Sequence, residues 1–403
     1  MRGRQLRHTS AVLLAAMAVA LTGMSVGCGG NDKPQNNADA IPVGAVISKT
    51  GTYASMGAVQ EKVFNMEVEK INAAGGINGR PIKLIIEDDG TDESKAVSAA
   101  QKLIERDHVV ALLGSSGTGA TMAMRQLVEA AGIPQISMAG GNVVTGQFSP
   151  NVYQTPWTNM LLIPEMMSYL AEQGLTKVAL VTDNGGYGKD GHAIAVEAAP
   201  TAGVELVADV TFTPGDSDFS GQIAQVKASD AQAVVLWTAG KEAIPLLNQS
   251  KNAGIELPWF GGSGQARTEF VEGAADATEG YIIVTGKSYV KESWPEGSEN
   301  RVVMEEFYAD ANEVLGENPD IFAGHGYDAI KLIANAMRSV EGDTIDGPAL
   351  IKALDAHTQG VVGYGGAFTF SSTDHNGLGP DDISFFTLHN GIWVIGANLE
   401  MGE

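Results

Sequence analysis

VVALLGSSGTGATMAMRQLVEAAGIPQISMAGG, Val109–Gly141, holds one full turn of the architecture. Val109 to Leu113 is an unbroken apolar run of strand length, the pattern of a strand covered on both faces. It ends in small residues, Gly114-Ser115-Ser116-Gly117-Thr118, and a segment of helical length follows. Ala131-Gly132-Ile133 then leads into a second strand, Gln135 to Met138, which closes on Ala139-Gly140-Gly141. Strand, helix and strand in this order define a right-handed parallel crossover.

The rhythm extends in both directions. Upstream, Val43 to Ile47 and Ile82 to Ile86 are strands. In the helical segment after them, Ala96, Ala100, Leu103 and Ile104 share one face, while Lys95, Lys102, Glu105 and Arg106 share the other. Asp92 suits its N-cap. A second series begins after Pro156, with strands at Val178 to Thr182, Val204 to Phe212, Ala233 to Trp237, Trp259 to Phe260 and Tyr281 to Val284. It echoes the first: VVALLGSSG at Val109 is answered by AVVLWTAGK at Ala233, and AGIPQISMAGG at Ala131 by AGIELPWFGGSG at Ala253. Composition alone can produce such echoes in any α/β chain. Beyond Thr285 the pattern predicts helices from about Arg301 to Leu315 and Ile321 to Val340, the latter with Ile330, Ile333, Ala334 and Met337 as its buried stripe. A short helix near Gly347 to Ala356, a strand around Phe368 and a hairpin turning at Asn390-Gly391 complete the chain. The expected fold is α/β: two doubly wound parallel-sheet lobes.

Composition narrows the function. A chain of 403 residues with 44% apolar and 18% charged positions has the material for two packed cores. Lys and Arg number 25 against 48 Asp and Glu, a net charge of −23 that repels nucleic acid. A single cysteine excludes an internal disulfide and a cysteine-based zinc cluster. That residue, Cys28, follows a basic segment (Arg2, Arg4, Arg7) and the apolar run Ala11 to Leu21, which is too short to span a bilayer. This is the order of a secretory signal peptide over residues 1–27. Ser25-Val26-Gly27-Cys28 resembles a bacterial lipobox, which makes Cys28 the lipid-bearing N-terminus of an exported chain; Ser25 departs from the usual Leu or Val. A plain signal peptide with an incidental thiol is the alternative. Gly29 to Ala40 reads as a flexible tether.

Catalytic motifs fail on spacing. Gly114 to Thr118 and Gly261 to Gln265 lack the final Gly of G-x-S-x-G. Gly286-Lys287-Ser288 lacks the Gly that a P-loop needs at Tyr281. Gly186-x-Gly188-x-x-Gly191 matches the dinucleotide fingerprint, a weak signal alone, with Asp209 downstream. The seven His show no metal-ligand spacing, and the acidic run Glu87 to Glu93 reads as a solvated strand end and helix cap. No catalytic residue, cofactor or metal is expected. Binding remains. In doubly wound lobes ligands meet the carboxyl ends of the strands. There Gly117 and Thr118 would offer amides, a positive helix end and a hydroxyl to a carboxylate, unless Thr118 is only an N-cap. Ala139, Gly140 and Gly141 allow close backbone approach at the next strand end, or form a mere turn.

ISKTGTYASMGAVQ from Ile47, VEKINAAGGINGRPIKLIIEDDGTD from Val68, LLGSSGTGATMA, AGIPQISMAG, DNGGYGKDG from Asp183, TEGYIIV from Thr278 and GYDAIKLIANAM from Gly326 occur in this order. Together they resemble the type I periplasmic solute-binding proteins of ABC importers, in particular the Leu/Ile/Val-binding group. The resemblance runs over almost the whole chain from Ile41. It implies two lobes, 41–157 with 286–378 and 158–285 with 379–403, joined by three crossings near Pro156 to Thr158, Thr285 to Lys287 and Gly377 to Asp382. It implies no chemistry on the solute, and as partners a small-molecule ligand, a membrane-embedded permease and, through lipid, the membrane.

Carried over by motif, Tyr53 walls the first lobe's side of the cleft, Gly117 and Thr118 hold a ligand carboxylate, the Ala139 carbonyl accepts from its ammonium, and Tyr187 closes from the second lobe. Two positions depart: Gly141 replaces a hydroxyl residue, and Ser263 stands where amino acid binders carry the acid that neutralises the ammonium. The resemblance thus implies a branched-chain amino acid or a related carboxylate or amide. Trp157 at the first crossing and Trp237 at a strand end are candidates to stack on a ligand, or are core. A sensor delivering its liganded form to a receptor, or an exported NAD-dependent or hydrolytic enzyme on the same sheets, are the rival readings.

Overall fold

The computed structural model describes residues 40–397 apart from 275, 276 and 343. The expected signal peptide, Cys28 and the tether up to residue 39 lie outside the described residues. β1 (Ile41–Ile47), β2 (Ile82–Asp88), β3 (Ala111–Gly114), β4 (Gln135–Ser137) and β5 (Val152–Gln154) form a wholly parallel sheet in the order β2-β1-β3-β4-β5. Helices α1 (Ala54–Ala73), α2 (Glu93–Glu105), α3 (Thr118–Ala131) and the short α4 (Val143–Gly146) connect them. β5, Val-Tyr-Gln, escapes sequence reading because its pairing is long-range: the Gln135 amide donates to Asn151 O and the Gln154 amide to His375 O.

The second sheet takes α5 (Asn159–Glu172), β6 (Lys177–Asp183), α6 (Gly186–Ala202), β7 (Glu205–Phe212), α7 (Ser220–Ala228), β8 (Ala233–Trp237), α8 (Ala243–Asn252), β9 (Trp259–Gly261), α9 (Thr268–Gly273) and β10 (Ile282–Gly286). The chain then returns to the first sheet with α10 (Glu299–Leu315), α11 (Ile321–Ser339), α12 (Gly347–His357) and a hairpin, β11 (Gln359–Val362) with β12 (Ala367–Thr369). Finally β13 (Ile383–His389) and β14 (Ile392–Ile395) add antiparallel to β10, giving the order β14-β13-β10-β9-β8-β6-β7. The second sheet is therefore mixed.

The two central strands β1 and β3 carry no polar side chain because their alternate side chains serve different layers. Val43, Ala45 and Ile47 of β1 and Ala111 and Leu113 of β3 pack with α1, α11 and α12, whereas Val46 and Leu112 pack with α2 and α3. Ile330, Ile333, Ala334 and Met337 are all buried along α11. A fully buried Ile or Met side chain contributes about 1.5–3 kcal/mol. Asp92 caps α2, accepting the Lys95 amide at 2.8 Å. The acidic run is not wholly solvated: Asp89 is completely buried and accepts Ser48 Oγ, Ser115 Oγ and the Thr91 amide at 2.6, 2.5 and 2.8 Å.

Three stretches pass between the sheets: 155–158, 287–298 and 370–382. They are tied to one another. Asn376 Nδ2 donates to Gln154 O and Pro156 O at 3.2 and 2.8 Å, and the Lys287 ammonium donates to Asp381 O.

Candidate functional site

The loop from β3 to α3 is moored from beneath. Ser115 is held by Asp89, and Ser116 Oγ donates to Gln60 Oε1 at 2.6 Å while accepting the Ser48 amide at 3.2 Å. Gly117, in extended conformation, is the N-cap of α3, so the first amides of a 14-residue helix emerge at this point with no carbonyl to receive them. Thr118 is the first helical residue rather than the cap: its hydroxyl accepts the Gly141 amide at 3.2 Å and keeps its own hydrogen to donate. Tyr53, the N-cap of α1, lays its ring on Gly117, where a Cβ would stand 2.8 Å from the ring.

The opposite wall comes from α6 and the segments that follow β8 and β9. The Tyr187 ring faces Gly140, where a Cβ would come within 3.2 Å of it. Its hydroxyl is buried without a hydrogen-bond partner, and burial raises its pKa. The two lobes touch around this point. The Asp190 carboxylate on α6 accepts the Asn142 and Val143 amides at 2.7 and 3.0 Å, Thr52 Oγ1 donates to Glu242 Oε1 at 2.5 Å, and the Gly186 α-carbon abuts Gly119. The cleft is shut over a small cavity.

Of the ten residues expected at the ligand, Tyr53, Gly117, Thr118, Gly140, Trp157, Tyr187 and Ser263 line this cavity. Three stand off it. The Ala139 carbonyl accepts Gln154 Nε2 at 2.6 Å in the layer behind. A side chain on Gly141 would meet that of Thr118 at 2.4 Å, so Thr118 fills the space a hydroxyl residue would need. Trp237 lies behind Tyr187, ring centroids 6.2 Å apart and nearly parallel, with its Nε1 donating to Asn159 Oδ1 at 3.0 Å. It supports the wall from the core. Gly191 and Gly262 make room for its indole, and Gly188 for the turn at Asp183, which accounts for the spacing that mimics a dinucleotide fingerprint.

Sequence reading missed the third wall. Ile321, Phe322 and His325, in the first turns of α11, and Met56, Met138 and Pro156 complete the lining with Ser116, Ala239 and Gly264. The available signal was Asp320, an N-cap accepting the Ala323 amide at 2.9 Å, followed by Ile321 and His325 four residues apart on one face. His325 meets Trp157 edge-on at 5.1 Å, and desolvation pushes its imidazole down to about 3, so it is neutral at physiological pH. Its Nδ1 is buried without a partner. Ser263 Oγ shares a hydrogen bond with Thr285 Oγ1 at 2.9 Å. Among the described residues no group of three His, Cys, Asp or Glu is placed to hold a metal, and no helix is long and apolar enough to cross a membrane.

Two wound lobes, three tied crossings and a cavity walled by both lobes and the first crossing, with donors on its wall, define a bilobed solute-binding protein. Known proteins agree: the periplasmic binding protein family matches residues 40–389, and the chain belongs to that family. A leucine-, isoleucine-, valine-, threonine- and alanine-binding protein of Pseudomonas aeruginosa is 27% identical over 80% of this chain and 83% of its own. The branched-chain amino acid transporter substrate-binding protein of Streptococcus pneumoniae, solved with isoleucine, is 28% identical, covers 88% of this chain and 97% of its own, and superposes with a TM-score of 0.77. An extracellular ligand-binding receptor of Rhodopseudomonas palustris, 22% identical over 89% of this chain and 99% of its own, shares the fold with a TM-score of 0.83.

Proposed function

We propose that this protein captures a small apolar solute bearing a carboxylate, a branched-chain amino acid or a related carboxylate or amide, between its lobes and delivers it to the membrane permease of an ABC importer. The lobes are residues 41–157 with 286–378 and residues 158–285 with 379–403. The chain is exported after removal of residues 1–27 and held at a membrane by lipid on Cys28. The observation that carries the reading is the cavity between the lobes, walled by both of them and by the first crossing, mostly apolar with a few polar groups, as small-molecule sites are. Contacts between the lobes, such as Asp190 to the Asn142 and Val143 amides, are what a ligand would stabilise on closure. The test is a thermal-shift screen of the mature protein in detergent against amino acids, aliphatic and aromatic acids and amides, with X-ray scattering of any hit. A solute that raises the melting temperature, contracts the particle and is recovered unaltered is the expected result. Recovery of a transformed compound, or no response to any solute, overturns it.

A further inference from the structure

Resting on that reading, we infer that the solute this cleft selects is an apolar carboxylate carrying no ammonium group. Among the described residues on the cavity wall none is Asp, Glu, Lys or Arg. A zwitterion shut into such a site must have each end met by a counter-charge or by oriented dipoles, and here the two ends are served unequally.

The carboxylate end is well supplied. The first turn of α3 opens at Thr118, the Gly117 amide being shared with Ser115 Oγ at 3.3 Å, and the Thr118 hydroxyl has a hydrogen to give. Two buried groups on the wall, the Tyr187 hydroxyl and His325 Nδ1, have no partner within the protein, an arrangement that costs free energy unless a ligand atom completes it. Tyr187 can donate to an oxygen, and a neutral imidazole can donate from one nitrogen.

The ammonium end is not. Ser263 presents a hydroxyl already shared with Thr285. The Ala139 carbonyl is taken by Gln154 and the Gly140 carbonyl by the Asn159 amide at 3.0 Å. Asp183 and Glu242, whose charges act on the Tyr53 hydroxyl, are not among the residues of the wall. Glu242 Oε1 receives the Thr52 hydroxyl and the Gly215 amide at 2.5 and 2.7 Å. Asp183 Oδ1 receives the Gly185 amide at 2.8 Å, and only its Oδ2 is left over. Between the polar groups the wall is Met56, Met138, Trp157, Ile321 and Phe322, which suits a branched or aromatic body.

Calorimetric titration of the mature protein in detergent with matched probes decides the matter: L-leucine against 4-methylpentanoate, L-phenylalanine against 3-phenylpropanoate, and 3-methylbutylamine as the amine lacking a carboxylate. The expected result is that at least one acid without the amino group binds ten-fold or more tightly than its amino acid, while the amine gives no heat. Tighter binding of the amino acid in both pairs overturns the inference and leaves the solute-binding reading standing. In that case loss of ten-fold or more in Asp183→Asn would make Asp183 the ammonium's anchor. Binding of no probe also overturns the inference, and the wider screen above then decides separately whether the protein binds solutes at all.

Discussion

The indole of Trp157, on the first crossing, lies so close to the α-carbon of Gly286, at the end of β10, that a Cβ there would stand 1.7 Å from its ring. The same indole donates Nε1–H to Gly365 O at 2.9 Å and meets His325 on the cavity wall. One side chain thus couples the geometry of the hinge to the shape of the pocket. Gly286→Ala is expected to force the indole aside, costing about 1–3 kcal/mol as overpacking does in a filled core. Ligand affinity should fall at least ten-fold. Wild-type unfolding and titration curves would show instead that the ring moves freely.

Thr118 bridges the α3 turn and the Gly141 amide. Thr118→Val leaves that amide without its acceptor, a loss of about 1–3 kcal/mol if no water replaces it, and removes a donor from the cavity. Both the melting temperature and the affinity should drop, whereas Thr118→Ser, which keeps the hydroxyl, should restore most of both. An unchanged affinity in the Val variant would take the hydroxyl out of the site.

Asp190 fastens the second lobe to two amides of the first and also accepts Asn159 Nδ2 at 2.8 Å. Hydrogen bonds to a charged group contribute about 1.5–3 kcal/mol. Asp190→Ala should therefore weaken ligand binding by roughly ten- to a hundred-fold by disfavouring closure. Scattering at saturating ligand should report a more open particle. If the affinity is retained, these contacts do not hold the lobes shut.

Asp328 is completely buried on α11, where desolvation pushes its carboxyl up to about 7 against the ordinary 3.8, although the Gly365 and Tyr364 amides at 2.7 and 2.6 Å favour the ion. A folded-state value above the unfolded one means the folded protein holds the proton more tightly. Stability from this group is then full in acid and is lost as pH rises through 7. The unfolding free energy of wild type minus that of Asp328→Asn should shrink between about pH 4 and pH 7 and level off above. A flat difference would mean that the two amides keep the carboxylate ionised throughout.

Cys28→Ser removes the only thiol. The variant should leave the membrane fraction and appear in the soluble exported fraction with ligand affinity intact. Continued sedimentation with membranes would end the lipid-anchor reading.

Strands of the first sheet and the helices over it were legible because burial on both faces writes itself as continuous apolar runs, and amphipathic helices write a 3.6-residue period. β5 was not, since its hydrogen bonds come from β4 on one side and from His375, over 200 positions later, on the other. Asp89 was misread for the same reason. Its burial depends on Ser48 and Ser115 folding over it from separate loops.

The site divides along the same line. Tyr53, Gly117, Thr118 and Tyr187 sit at strand-to-helix turns, where motif and position coincide, so the sequence alone pointed to them. His325 and the start of α11 reach the cavity only because the chain crosses back after β10 to cover the first sheet. Trp237 and Ala139 look like wall residues in one dimension, yet Tyr187 and the Gln154 side chain stand next to them in three. Local period and turn chemistry are properties of neighbouring residues and can be read in order along the chain. Which polar atoms remain unpaired in a closed cleft depends on packing between segments hundreds of residues apart, and only the folded arrangement decides it.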